Sequence, residues 1–200
     1  MKVLALDAMG VLYPTADDVK NLLVPFIAEK NGSKDMLAIQ RLYHSASLGH
    51  ISAYEFWEGV GLDAHYEDEY LQRHTLTDGL IAFLELIRQR DYRVWCLSND
   101  LSEWSRKLRL RFGLERFFEG FVISADAGAR KPDPAIYHNL IERLHEDPRN
   151  VTFVDDNHKN LDTASTLGFH TILFSPVNTN IPGSSYTIVR SFDDLAPLLP

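Results

Sequence analysis

The 200-residue chain is acidic, with a formal net charge of −8, and 45% of its residues are hydrophobic. This composition argues against a disordered chain, and it provides no excess of basic residues to attract nucleic acid or a membrane surface. Cys96 is the only cysteine, which excludes an internal disulfide, and its apolar neighbours predict an unreactive core thiol. No apolar run approaches the length of a membrane span or signal-peptide core, so we expect a cytoplasmic protein.

Five short apolar runs predict the strands of a parallel sheet. They lack period-two alternation and end in polar residues, as strands buried on both faces do. In chain order they cover residues 3–6, 94–97, 121–123, 151–154 and 171–174. Ligands of such sheets bind at the carboxyl ends of the strands. We therefore expect Asp7, Ser98 and the pair Asp155 and Asp156 to lie close together.

Helical periodicity separates these runs, and the alternation predicts an α/β fold, a Rossmann-like parallel sheet with helices on both faces. Asp133 and Pro134 form a typical helix start, and Gly168 a typical helix end. The predicted helices cover residues 78–90 and 104–112, a segment starting at 133, and residues 160–167 and 193–199. The polar stretch 175–185 predicts a surface loop.

Residues 13–77 interrupt the alternation with helical patterns alone. We predict three helices there, the first of which Pro25 must kink or interrupt. The third follows Ser52 and Glu55, which have the spacing of a capping box. The sequence therefore predicts a small α-helical domain over residues 13–77, inserted into a core domain formed by residues 1–12 and 78–200.

Four motifs carry groups suited to chemistry, although each alone also fits a turn, a helix cap or a solvated charge. A carboxylate at a strand end, such as Asp7, can act as a nucleophile. A hydroxyl beside a helix N-terminus, such as Ser98, can hold an anion. Adjacent carboxylates repel each other unless a cation neutralises them, so Asp155 and Asp156 suggest a Mg²⁺ site. The motifs read Asp7-Ala8-Met9-Gly10, Ser98-Asn99-Asp100, Lys131-Pro132-Asp133-Pro134 and Asp155-Asp156-Asn157.

Taken in this order, the motifs resemble those of the haloacid dehalogenase-like superfamily over nearly the whole chain, and residues 13–77 resemble that family's cap domain. The resemblance implies a Mg²⁺-dependent phosphatase that acts on a small phosphorylated substrate, with Asp7 as the nucleophile that becomes an aspartyl-phosphate. Ser98 and the backbone N–H of Asn99 would hold the phosphoryl oxygens.

The same resemblance assigns a charge-neutralising role to Lys131, next to Asp7 and the transferred group. It also implies a set of magnesium ligands. Asp7, the backbone carbonyl of Met9 and Asp156 would bind the ion directly, and Asp155 either directly or indirectly. The expected partner is a small phosphorylated or otherwise anionic compound, with neither nucleic acid nor a membrane involved.

Met9 departs from the family pattern, because phosphatases of the family place a second aspartate there to protonate the leaving oxygen. A thioether cannot transfer a proton at neutral pH, and such help is typically worth about 10²–10⁴-fold in rate. A histidine of the helical segment, His44 or His50, is one substitute. A substrate with a good leaving group, such as an acyl phosphate, would need no acid.

A different reaction would also account for Met9, because the haloacid and phosphonate branches of the family lack the second aspartate too. The haloacid enzymes are metal-free and lack the paired acids, whereas the phosphonate enzymes use a cap lysine, for which Lys20, Lys30 and Lys34 are available. Finally, a protein without the acid could bind a phosphorylated ligand and not turn it over.

Overall fold

A computed structural model of the protein describes residues 2–176 and 186–199. Within these ranges, six parallel strands form one sheet in the order β3-β2-β1-β4-β5-β6. The strands are β1 (Val3–Leu6), β2 (Arg93–Ser98), β3 (Gly120–Ile123), β4 (Val151–Asp155), β5 (His170–Phe174) and β6 (Thr187–Val189). The sheet and its five predicted strands are confirmed. Sequence reasoning missed β6, a three-residue edge strand with two exposed positions that leave no apolar run.

The register of the central strands sets where their polar ends meet. Leu6 of β1 pairs with Cys96 of β2 on one side and with Val154 of β4 on the other. The backbone N–H of Asp7 continues the β1–β4 pairing by donating to the Val154 carbonyl at 2.9 Å. The residues that follow these three strands therefore emerge side by side at one edge of the sheet.

Four α-helices lie within residues 13–77, preceded by a π-helical turn over Val19–Leu23. They are α1 (Val24–Glu29), α2 (Met36–Ala46), α3 (Ala53–Gly59) and α4 (Tyr66–Leu71). Pro25 lies in the first turn of α1, where a missing N–H costs nothing, so the predicted interruption appears as the change from π- to α-helix. The predicted capping box of Ser52 and Glu55 is present. The sequence did not predict α4, because its charged residues obscure the helical periodicity of its apolar positions.

The remaining helices alternate with the strands. They are α5 (Leu80–Arg88), α6 (Ser102–Arg111), α7 (Ser124–Ala127), α8 (Pro134–Leu144), α9 (His158–Thr166) and α10 (Phe192–Leu195). Asp133 caps α8 through the Ala135 N–H, as predicted. The predicted final helix is instead α10 followed by a 3-10 turn over Ala196–Leu198. The four-residue α7 was not predicted. Of the predicted loop 175–185, residues 177–185 lie outside the described part.

Apolar side chains cover both faces of the sheet. Leu4 and Leu6 belong to a cluster that includes α5, α6 and the helices of residues 13–77, whereas Val3 and Ala5 belong to a cluster that includes α8 and α9. This alternation along β1 is the period-two pattern of a strand, and it confirms helices on both faces. Since the helical segment shares its core with the sheet, the division into two domains at residues 13 and 77 stays a prediction.

Cys96 lies in β2 with its side chain buried, and burial raises the pKa of its thiol to about 12. A thiol that stays protonated in the core is unreactive, in line with the sequence interpretation. Across the described ranges, none of the helices combines the length and apolar character required to cross a membrane.

Candidate active site

A buried lysine lies between two carboxylates at the carboxyl edge of the sheet. The Nζ atom of Lys131 is 2.6 Å from Oδ1 of Asp7 and 2.7 Å from Oδ2 of Asp155. Burial alone would lower the pKa of Lys131, but Asp155 and Asp7 more than offset it, so the pKa lies above its usual value. The amine is therefore a permanent cation in contact with the predicted nucleophile.

Asp7 itself is 7% exposed. Its Oδ1 accepts a hydrogen bond from the Ala8 N–H at 2.6 Å. Burial and the nearby charge of Asp155 raise the pKa of Asp7 well above its usual value, against the opposing pull of Lys131. The ionised form that a nucleophile needs thus depends on cations in the site.

Asp7, Asp155 and Asp156 form an acidic cluster, in which one carboxylate oxygen from each lies within 4.8 Å of the others. Asp155 is fully buried and accepts hydrogen bonds from the Asn157 N–H at 2.8 Å and from Nδ2 of Asn160. Burial and Asp155 raise the pKa of Asp156 to about 7. Three crowded carboxylates beside a single lysine leave negative charge uncompensated, and their hard oxygen atoms fit Mg²⁺.

Gly10 makes room for this cluster. A Cβ atom built on Gly10 would lie 2.4 Å from the carboxyl carbon of Asp156, and the residue has a φ of +81°. Only a residue without a side chain satisfies both conditions without displacing Asp156. Gly10 lies in a tight turn, in which its N–H donates to the Tyr13 carbonyl at 2.8 Å.

Ser98 ends β2 with its side chain buried. Its Oγ has no hydrogen-bond partner among the residues that the structure describes. Buried polar atoms are nearly always paired, so this hydroxyl is suited to hold a ligand. Asn99 follows Ser98 and also lines the cavity, but its side chain is engaged elsewhere. Its amide pairs with the backbone of Lys131, accepting from the N–H at 2.8 Å and donating to the carbonyl at 2.9 Å.

These groups open into a cavity of about 490 Å³. The cavity contains every predicted site residue except Asp155, which lies behind it, bonded to Lys131. The predicted residues in its wall are Asp7, Met9, Ser98, Asn99, Lys131 and Asp156. Met9 is buried in this wall and brings no transferable proton.

Other residues of the wall come partly from the helical segment and were not predicted. They include Asp17, Asp18 and Tyr43, and Arg130 lies at the same opening. Asp18 is 5% exposed and accepts a hydrogen bond from the Tyr70 hydroxyl at 3.2 Å. The adjacent acids Asp17 and Asp18 were the only sequence signal for this part of the wall. Such a pair also fits an ordinary helix start.

The residues considered as substitutes lie elsewhere. His44 and His50 are exposed and do not line this cavity. Lys20, Lys30 and Lys34 do not line it either, and the amine of Lys30 is 2.7 Å from a carboxylate oxygen of Glu69. The predicted motif residues therefore come together, whereas the substitute proton donor and the Schiff-base lysine do not join them.

Comparison with known proteins identifies the family of the chain. The model of the haloacid dehalogenase-like hydrolase family matches residues 1–168. A phosphoglycolate phosphatase of Aquifex aeolicus is 23% identical over 96% of this chain and 94% of that protein. (S)-2-haloacid dehalogenase 4A of Burkholderia cepacia is 33% identical over 58% of this chain and 52% of that protein. The chain thus spans about half of that relative, and it spans 21% of bifunctional epoxide hydrolase 2 of Sus scrofa.

Solved structures share the fold. A HAD phosphatase of Thermococcus onnurineus superimposes with a TM-score of 0.75 at 22% identity, over 100% of this chain and 98% of that one. A HAD family enzyme of Bacteroides thetaiotaomicron, a variant in complex with magnesium and inorganic phosphate, has a TM-score of 0.74 at 22% identity, over 91% and 97%. The family model covers most of the chain, and the chain therefore belongs to the haloacid dehalogenase-like hydrolases.

Proposed function

We propose that this hydrolase is a Mg²⁺-dependent phosphatase that acts on a small phosphorylated compound through an aspartyl-phosphate at Asp7. One observation carries the proposal. Lys131 contacts Asp7 beside a buried acidic cluster, and the unpaired hydroxyl of Ser98 lies in the same cavity. A nucleophile, a cation, a cation-binding cluster and an anion-binding hydroxyl are the parts that phosphoryl transfer needs.

In the proposed reaction, a carboxylate oxygen of Asp7 attacks the phosphorus atom of the substrate. Lys131 favours the ionised form of Asp7 and offsets the charge of the incoming phosphoryl group. Ser98 and the Asn99 backbone N–H donate to the phosphoryl oxygens, while the Asn99 side chain holds the loop that carries Lys131.

Asp7, Asp156 and the backbone carbonyl of Met9 would hold Mg²⁺, with Asp155 acting directly or through its contacts in the cluster. The ion would supply positive charge that lets two anions approach each other. Without it, the burial and repulsion that raise the pKa values of Asp7 and Asp156 oppose the ionised forms.

The size of the cavity and the relatives suggest the substrate class. A volume of about 490 Å³ suits a small molecule. Related proteins include phosphoglycolate phosphatase and glyceraldehyde 3-phosphate phosphatase. We infer that the substrate is a phosphate ester of a short organic compound.

Hydrolysis of a 2-haloacid is a second candidate, favoured by the apolar side chain of Met9 in the cavity wall and by the related haloacid dehalogenase. Halide release from 2-chloropropionate without added metal would identify it. The acidic cluster argues for the phosphatase. Without a bound metal ion, its negative charge would repel an anionic haloacid, whereas the proposed phosphatase offsets this charge with Mg²⁺.

The test is a panel of small phosphate esters with 4-nitrophenyl phosphate, assayed with Mg²⁺ and with EDTA. We expect turnover with Mg²⁺ only, and Asp7→Asn should lower kcat by at least about 10³-fold. The exposed Asp193→Asn is the matched control and should retain full activity. Absence of metal-dependent turnover across the panel, together with binding of inorganic phosphate, would instead indicate a non-catalytic phospho-ligand-binding protein.

A further inference from the structure

The proposed phosphatase reaction lacks a proton donor at position 9. When an alkyl phosphate is cleaved, the leaving oxygen departs as an alkoxide unless it is protonated, and a positioned acid typically contributes about 10²–10⁴-fold. Met9 cannot act as this acid. Another residue must therefore protonate the leaving oxygen. The assignment of this residue rests on the proposed phosphatase function.

Outside the acidic cluster and Lys131, four side chains in the cavity wall carry a group that can transfer a proton, namely Asp17, Asp18, Tyr43 and His158. Asp17 is exposed and accepts a hydrogen bond from the Lys20 N–H. His158 is also exposed. Burial raises the pKa of Tyr43 well above its usual value, which makes it a poor acid. Asp18 differs from all three.

Asp18 is a buried carboxyl group without a cationic partner. It is 5% exposed, and no lysine, arginine or histidine forms an ion pair with it in the described portion of the chain. The groups around it are the hydroxyl of Tyr70, the carboxylate of Asp17, and two other buried acids, Tyr43 and Asp100. Burial and the charge of Asp17 favour the neutral, proton-bearing form against the opposing hydrogen bond from Tyr70, and they raise the pKa of Asp18 to about 6.

The position of Asp18 also suits the geometry of the reaction. In-line displacement places the leaving oxygen on the side of phosphorus opposite the attacking oxygen. Asp7 lies at the sheet edge and lines the cavity, so the leaving group of a bound substrate would lie within this cavity. Asp18 lines that cavity, on the segment between β1 and the helices.

We propose that Asp18 is the general acid and base of this phosphatase, in place of the aspartate that Met9 replaces. In the first step, the carboxyl O–H of Asp18 gives its proton to the leaving oxygen as the ester P–O bond breaks. The alcohol departs, and the phosphoryl group is bonded to Asp7.

In the second step, the Asp18 carboxylate takes a proton from the water that attacks this phosphoryl group. A new P–O bond forms, the bond to Asp7 breaks, and inorganic phosphate leaves. Asp7 and the protonated Asp18 are regenerated.

The experiment compares Asp18→Asn with Asp193→Asn, an exposed position outside the cavity, by rapid-quench measurement of phosphoenzyme formation with Mg²⁺. Two substrates are used, a short alkyl phosphate, which needs the acid, and 4-nitrophenyl phosphate, whose leaving group needs none. We expect Asp18→Asn to slow phosphoenzyme formation from the alkyl phosphate about 10²–10⁴-fold and from the aryl phosphate less than about tenfold. Asp193→Asn should leave both rates unchanged.

The ratio of the two rates is the decisive readout, since partial unfolding of a variant would lower both rates equally. An unchanged ratio in Asp18→Asn, or the same change in Asp193→Asn, would overturn the role of Asp18. Failure of the proposed function looks different, because the wild-type protein would then form no phosphoenzyme from either substrate.

Discussion

At the scale of single residues, the absence of a side chain at Gly10 determines where Asp156 can lie. A Cβ atom there would approach both the carboxyl carbon and Oδ2 of Asp156 to 2.4 Å. Gly61 has a similar backbone, with a φ of +77°, but a Cβ atom would meet nothing within 4 Å. Alanine substitutions at these two glycines can therefore distinguish the effect of backbone strain from the effect of a steric clash with Asp156.

We expect Gly10→Ala to weaken Mg²⁺ binding by at least about tenfold, since it displaces a proposed ligand. Gly61→Ala should lose about 1 kcal/mol of stability through the strained backbone and keep its Mg²⁺ affinity. Isothermal titration calorimetry measures the two affinities, and urea unfolding measures the two stabilities. Equal affinity in the two variants would contradict the assignment of Asp156 to the metal site.

The buried side chain of His74 should make the free energy of unfolding depend on pH. It is 2% exposed, and neither ring nitrogen has a hydrogen-bond partner in the described regions. Burial lowers the pKa of His74, so the unfolded chain binds a proton there more readily than the folded protein. Its contribution to stability is thus retained above the usual imidazole pKa, about 6.5, and is lost as pH falls below it.

We therefore expect the unfolding free energy of the wild-type protein to fall between pH 7 and pH 5 more steeply than that of His74→Leu. The leucine variant removes the titration, and it also removes two unpaired buried polar atoms. His138→Leu, at an exposed position of α8, is the control and should keep the wild-type slope. Urea unfolding at several pH values gives the three slopes, and equal slopes for wild type and His74→Leu would contradict this role of His74.

At the scale of elements, Glu67 of α4 joins the helical segment to α6, a helix that packs on the sheet. Its Oε2 accepts the indole N–H of Trp57 in α3 at 3.2 Å and that of Trp104 in α6 at 2.8 Å. Its Oε1 is 2.8 Å from the amine of Lys107. The two indole rings lie 5.7 Å apart in a buried aromatic cluster. A single carboxylate thus satisfies two buried donors from different parts of the fold.

Glu67→Ala should lower the unfolding free energy by about 3 kcal/mol, because it leaves two buried N–H groups without an acceptor. Glu67→Gln keeps an oxygen acceptor and should lose less. Glu103→Ala, at an exposed position in the first turn of α6, should change the free energy by less than about 0.5 kcal/mol. Chemical unfolding of the three variants tests this ranking, and a loss in Glu67→Ala no greater than in Glu103→Ala would refute it.

At the scale of the whole molecule, local patterns were enough to predict the sheet and the motif residues. The strands β1, β2 and β4 are continuous apolar runs, and the residues directly after them must share one edge of a parallel sheet. Asp7, Ser98 and Asp156 could therefore be predicted together. The helix α4 could not, because its charged residues hide the few that pack inward.

Contacts between distant parts of the chain explain what was missed in the site. Asp18 is buried and accepts a hydrogen bond from Tyr70, 52 residues later in the chain. The Asn99 side chain forms hydrogen bonds with the backbone of Lys131, 32 residues later. No local sequence pattern predicts this contact. The sequence thus predicted the cavity residues that lie in the motifs. The cavity residues contributed by the helical segment could be identified only from the folded structure.

A crystal structure with Mg²⁺ and beryllofluoride, a mimic of the phosphoryl group, tests the proposed aspartyl-phosphate chemistry most directly. We predict beryllium bonded to a carboxylate oxygen of Asp7, fluorine atoms in contact with Lys131 and Ser98, and Mg²⁺ bound by Asp7 and Asp156. A mimic bound away from Asp7, or Mg²⁺ held without Asp156, would contradict this chemistry.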